Sequence, residues 1–150
     1  MVHPVRLDKK HRYWIPDPQG EVQVPGFTEI ATALGIIKPN LHWTLGGRIK
    51  GTALHEWLAL LAAGKATNDT PDPRIADKVQ VIRNFVDRSG FKFVGGESPR
   101  YDPATGVACK PDLWGHIGAW SVVIECKTGA VEDYHTEQTS CQQINLKAND

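Results

Sequence analysis

The sequence predicts an α/β domain in which helices pack against a small mixed central β-sheet, preceded by a hairpin and a short helix. Three observations carry that reading. Leu54, Leu58 and Leu61 recur at helical spacing, and so do Ile75, Val79, Ile82 and Val86. After Gly90 the text changes to short apolar runs separated by Gly- and Pro-bearing turns, and a polar stretch with helical character closes the chain. A chain of 150 residues fits one compact domain over 1–150 and leaves no room for a second with its own core.

The elements follow in order. From His11 to Val24, two extended pieces flank the turn-rich Pro16-Asp17-Pro18-Gln19-Gly20, which predicts a hairpin. Thr28 is placed to cap a short helix running to about Leu34, with Gly35 as its stop. A longer helix is expected from about Ile49 to Ala63, ended by Gly64, and Asn68 to Pro73 reads as a loop. A third helix should run from Pro73 to Arg88, closed by Ser89-Gly90. Phe91–Val94, Val107–Ile117 and Ser121–Lys127 read as three strands, the last two joined near Gly118-Ala119, and a final helix is expected from about Val131 to Leu146.

Composition narrows the function classes only coarsely. Hydrophobic residues make up 41% and charged residues 23%, the balance of a folded globular chain rather than a disordered or coiled-coil one. Seventeen Lys+Arg meet seventeen Asp+Glu, which excludes a strongly basic coat but not a basic groove beside an acidic site. Cys109, Cys126 and Cys141 are odd in number and form no C-x-x-C pair, against a disulfide framework or zinc ribbon and in favour of a reduced, cytoplasmic setting. No run approaches the roughly 20 apolar residues of a membrane helix, so no membrane partner is expected.

The chemistry concentrates in Lys110-Pro111-Asp112-Leu113-Trp114-Gly115 and Val122-Val123-Ile124-Glu125-Cys126-Lys127-Thr128-Gly129. In a strand, Glu125 and Lys127 share a face while Ile124 and Cys126 turn to the other. If the strand bearing Asp112 pairs with it, two carboxylates and an ammonium converge, and clustered carboxylates are costly unless a cation sits between them. Neither fragment is informative alone: Asp8-Lys9-Lys10 repeats the acid-x-Lys spacing in a polar segment, and Pro-Asp recurs at Pro16-Asp17 and Pro71-Asp72. The alternative is a solvated strand face with an incidental salt bridge.

Pro111-Asp112 with Glu125-Cys126-Lys127 resembles the two-part signature of the PD-(D/E)XK nuclease superfamily, and the closer likeness is to its RecB-like, phage-type exonuclease branch. Val24-Pro25-Gly26-Phe27-Thr28-Glu29-Ile30 resembles that branch's N-terminal segment, Gly51-Thr52-Ala53-Leu54-His55 its G-x-x-x-H helix, and Glu125-Cys126-Lys127-Thr128-Gly129 its D/E-x-K-T-G strand. The likeness spans about His11 to Gln142. It implies a restriction-endonuclease-like core, with His55, Asp112 and Glu125 ligating Mg²⁺ or Mn²⁺, helped by the backbone carbonyl of Cys126, and Lys127 working beside them. Read from its helix alone, where it flanks the Leu54, Leu58 and Leu61 stripe, His55 is more often a satisfied core or surface histidine than a ligand.

Glu97 is either an added carboxylate of that site or a surface partner of Arg100. Gln138 falls where the branch shows Q-x-x-x-Y, but the fourth following residue is Gln142, which bears on how DNA is gripped. Tyr134, Trp57 and Trp114 are candidate stacking surfaces, and Arg48, Lys50, Arg100 and Lys110 are candidate phosphate contacts. Members of the branch continue past the Gln helix, so a minimal core or a shortened chain is expected, with a homo-oligomer as one way to complete it. The resemblance implies a metal-dependent nuclease hydrolysing phosphodiester bonds of DNA, an exonuclease of phage or bacterial recombination, repair or replication. The rivals are a structure-selective endonuclease of the same fold and a nucleic-acid-binding module without turnover.

Overall fold

The computed structural model describes residues 3–37, 44–66, 72–127 and 134–147. In chain order the elements are β1 (Arg6–Leu7), β2 (Tyr13–Asp17), β3 (Gly20–Val24), α1 (Phe27–Ala33), α2 (Leu45–Ala62), a 3-10 turn (Pro73–Ile75), α3 (Ala76–Ser89), β4 (Lys92–Gly96), β5 (Arg100–Asp102), β6 (Val107–Cys109), β7 (Leu113–Ile117), β8 (Trp120–Ile124) and α4 (Tyr134–Lys147). They fall into two compact units: one gathers the described residues of 1–39, 98–111 and 132–150, the other those of 40–97 and 112–131. The architecture is mixed α/β, with four helices among the described residues.

In the first unit, β1, β2 and β3 form an antiparallel sheet in that order. The expected hairpin is there, with Asp17 opposite Gly20 and Pro18-Gln19 left as a two-residue turn. Gly20 takes a φ of 140°, open to glycine and strained for other residues. Helix α1 begins two residues earlier than expected: Gly26 rather than Thr28 is its N-cap, and no side chain caps it. Thr28 lies inside the first turn, where its carbonyl accepts from the Thr32 hydroxyl at 2.7 Å. Strands β5 and β6 form a separate hairpin, its turn organised by Asp102, whose carboxylate accepts from the Ala104 amide and the Thr105 hydroxyl. On α4, Asn145 is buried and donates to the Val107 carbonyl at 2.7 Å.

The second unit holds the hydrophobic core of Leu54, Trp57 and Leu58 from α2, Ile75 and Val79 from the next helical segment, and Leu113 from β7. Helix α2 starts four residues before the expected Ile49, because the Thr44 side chain accepts from the Gly47 amide at 3.1 Å and caps it. The third helix is split: Pro73–Ile75 is a 3-10 turn capped by Asp72, and α3 then runs to Gly90, whose φ of 67° ends it. Strands β4, β7 and β8 form a three-stranded sheet in that order, antiparallel throughout.

Three expectations are corrected. The sheets are antiparallel rather than mixed; among the described residues the parallel pairing is an isolated bridge, Gly26 with Ala108. Val107–Ile117 is not one strand, since β6 pairs with β5 and β7 pairs with β4 and β8, and the ladder breaks at Pro111, which has no N–H to give. The last strand ends at Ile124, so Glu125–Lys127 lie past the ladder. Thr128, Gly129 and the expected helix start at Val131 lie outside the described residues, as does most of the loop from Asn68 to Pro73. The cysteines are free, and no described helix is long and apolar enough to cross a membrane.

Candidate metal centre

The site sits at one end of the β4–β7–β8 sheet. Leu113 pairs with Ile124, so the residues one step beyond, Asp112 before β7 and Glu125 after β8, flank the same end of the ladder. Glu97 follows β4, and its amide donates to the Asp112 carbonyl at 3.2 Å. Close approach is possible because Gly96 has no side chain: a Cβ there would lie 2.3 Å from the Asp112 carbonyl oxygen. Glu97 itself takes a φ of 52°, sparsely populated for a residue with a Cβ. The fourth part comes from α2, where Leu54 and Leu58 bury one face and place His55 at its margin.

There, His55 Nδ1 lies 2.6 Å from a Glu97 carboxylate oxygen and 3.3 Å from Asp112 Oδ1. The carboxylates are almost wholly buried, with 8% and 3% of their side chains exposed, while His55 is 41% exposed and forms the open side. One donor atom from each of the three residues lies within 4.8 Å of the others, the spacing a single cation can bridge. Two buried carboxylates beside each other favour any positive charge between them. That is why the His55 imidazolium is stabilised, by Asp112 first and Glu97 next, and its pKa is pushed up to about 10.

Asp112 is held from the other side as well. Its Oδ2 accepts from the Cys126 amide at 2.6 Å, which ties the Pro-Asp segment to the Glu125-Cys126-Lys127 segment. Glu125, largely buried, is ion-paired with the Lys127 ammonium. Burial and then Asp112, Glu125 and Glu97 push the Cys126 thiol up to about 12, so in the metal-free protein it stays protonated.

Comparisons of the chain with protein-family models, with curated proteins and with solved structures returned no match.

His55 and Asp112 are thus brought together, and Glu97, which the sequence left between site and surface, joins His55 directly. Little in the sequence singles out Glu97 beyond the Gly95-Gly96 pair that lets the chain pass close to Asp112. Glu125 is next to the cluster rather than in it, facing Lys127. Arg48 is exposed on α2. Arg100, Lys110 and Gln138 belong to the other unit, where Gln142 is buried, and the Tyr134 side chain lies outside the described residues. Trp57 and Trp114 are 2% and 9% exposed, Trp114 packing on Gly95, so neither offers an open face for a base. One imidazole and two carboxylates are donors that could together hold a divalent cation.

Proposed function

We propose that the protein is a divalent-metal-dependent nuclease that hydrolyses phosphodiester bonds in DNA, acting as an exonuclease. The observation that carries the reading is the Cys126 amide bound to the Asp112 carboxylate, which joins the two halves of the resembled signature, with His55 and Glu97 on the other side of that carboxylate. Mg²⁺ or Mn²⁺ held by His55, Glu97 and Asp112 would supply positive charge for a phosphate oxygen and acidify a water.

The chain's own residues support that chemistry in distinct ways. Asp112 is fixed at both oxygens, one by the Cys126 amide and one beside His55, so its direction does not depend on a bound ion. The Lys127 ammonium is held by Glu125 and 29% exposed, placed to steady a phosphate oxygen or orient water while reaching solvent. His55, the most exposed member, is where a substrate would approach.

The test is incubation of linear duplex DNA, labelled separately at each end, with Mg²⁺ or Mn²⁺. Metal-dependent loss of label from one end is expected, abolished by Lys127→Ala with DNA affinity retained. Cutting of circular DNA would favour an endonuclease. Binding with no product at any metal concentration would mark a module without turnover and end the nuclease reading.

A further inference from the structure

Residues 8–12, joining β1 to β2, read Asp-Lys-Lys-His-Arg and form an over-determined turn. The Asp8 carboxylate accepts from the Lys10 amide at 2.8 Å, the Arg12 amide at 3.0 Å, Arg12 Nε at 2.9 Å and Trp14 Nε1 at 3.2 Å. The backbone closes the loop again, Asp8 donating to the Arg12 carbonyl and His11 to the Asp8 carbonyl, each at 3.0 Å. His11 is held at a φ of 58°, a left-handed conformation uncommon for a residue with a Cβ. The Trp14 ring beneath carries the Arg12 and Arg6 guanidiniums at 5.3 and 5.7 Å, and Arg6 is tied to Glu21.

All the acidity near the turn is therefore used inward. Lys9 and Lys10 are exposed, and neither has an ion-pair partner among the described residues. Of the four Lys+Arg in residues 3–14, Arg6 is paired with Glu21 and Arg12 with Asp8, which leaves Lys9 and Lys10 as the uncompensated charges of the turn, in a chain whose totals are seventeen and seventeen. The neutral sum hides a segregated cationic tip on a stiff base. No large hydrophobic side chain is exposed within residues 3–14, so the turn lacks the apolar wedge that inserts into a lipid surface.

We infer that the β1–β2 turn is a contact point for the phosphate backbone of DNA, with Lys9 and Lys10 each meeting a phosphate. The inference rests on the reading that the protein works on DNA, and it adds a grip that does not involve the metal centre. Lysine ammoniums are point charges, so the contact is blind to base sequence and sensitive to salt.

The experiment is fluorescence anisotropy of a labelled duplex oligonucleotide with the full chain in EDTA, across a series of NaCl concentrations. Two lost phosphate contacts reduce the slope of log affinity against log salt by about 2 in the Lys9→Ala/Lys10→Ala variant, with a loss of at least about tenfold near 0.1 M salt. Lys9→Arg/Lys10→Arg should keep both affinity and slope, and Mn²⁺ binding should be unchanged in both variants. An unchanged slope in the alanine variant, no wild-type binding at low salt, or stronger binding to phosphatidylserine vesicles than to DNA would overturn the inference. The two readings separate cleanly. Lysine-dependent DNA binding with no cleavage leaves this one standing and removes the nuclease, whereas cleavage with an indifferent alanine variant does the reverse.

Discussion

Gly96→Ala probes the sheet end and the metal centre at once. A Cβ at this position would meet the Asp112 carbonyl oxygen at 2.3 Å, Leu113 Cδ2 at 3.0 Å and Ala62 Cβ at 3.2 Å, where ordinary contact begins at 3.4 Å. The first of these is backbone, so relief requires β4 and β7 to part by about 1 Å, and such overpacking costs about 1–3 kcal/mol. The value belongs near the upper end because no flexible side-chain tip is free to give way. For a chain this long that corresponds to a Tm lowered by about 2–4 °C for each kcal/mol. The same displacement moves Glu97 relative to Asp112, and losses of about tenfold or more in Mn²⁺ affinity follow when ligand-positioning groups shift. Urea denaturation and Mn²⁺ titration calorimetry measure the two effects. Gly46→Ala is the control: it is helical, its Cβ would meet nothing within 4 Å, and the change should stabilise by about 0.5 kcal/mol. If Gly96→Ala matched Gly46→Ala in both assays, the close packing of Glu97 on Asp112 would be refuted.

Other consequences are independent of that glycine. Leu58, with 0% exposure in the core of the second unit, should cost about 2–5 kcal/mol when changed to Ala, read by urea denaturation. Thr44→Ala removes the acceptor for the Gly47 amide and should cost about 1 kcal/mol by the same measurement. The His55 pKa, raised from 6.5 to about 10, sets the sign of two pH effects. Its contribution to the metal-free fold is fully present below about pH 6.5 and is lost as pH climbs through about 10, so the metal-free Tm should fall over that window. Mn²⁺ must displace the same proton, so its affinity should instead rise by about tenfold per pH unit there, and a flat titration series would contradict it.

Much of this was legible in the sequence, for identifiable reasons. The apolar stripes through Leu54, Leu58 and Val79 lie in the core, and Gly35, Gly64 and Gly90 follow their helices with positive φ. The division of Val107–Ile117 between two sheets falls at Lys110-Pro111-Asp112, a polar break carrying a proline that the reading as one strand passed over. Strand β5, Arg100–Asp102, is three residues of mixed polarity whose pairing partner lies across the Asp102 turn, so no periodic signal marks it. The early start of α2 was masked by Gly46-Gly47, poor helix formers that the Thr44 cap overrides. At the site, Asp112 and His55 were singled out by the family resemblance, and the fold brings them together. The contact of Glu97 with His55 spans 42 positions of chain and depends on a glycine's missing Cβ, which only the fold reveals.

The central claim is that His55, Glu97 and Asp112 hold one divalent ion. Calorimetric titration of the metal-free protein with Mn²⁺ tests it most directly, comparing wild type with Asp112→Asn, which keeps the side chain's size and its acceptor for the Cys126 amide. Saturable binding in the wild type that disappears in the variant is the predicted result. Absence of binding in the wild type, or equal binding in both proteins, would contradict it.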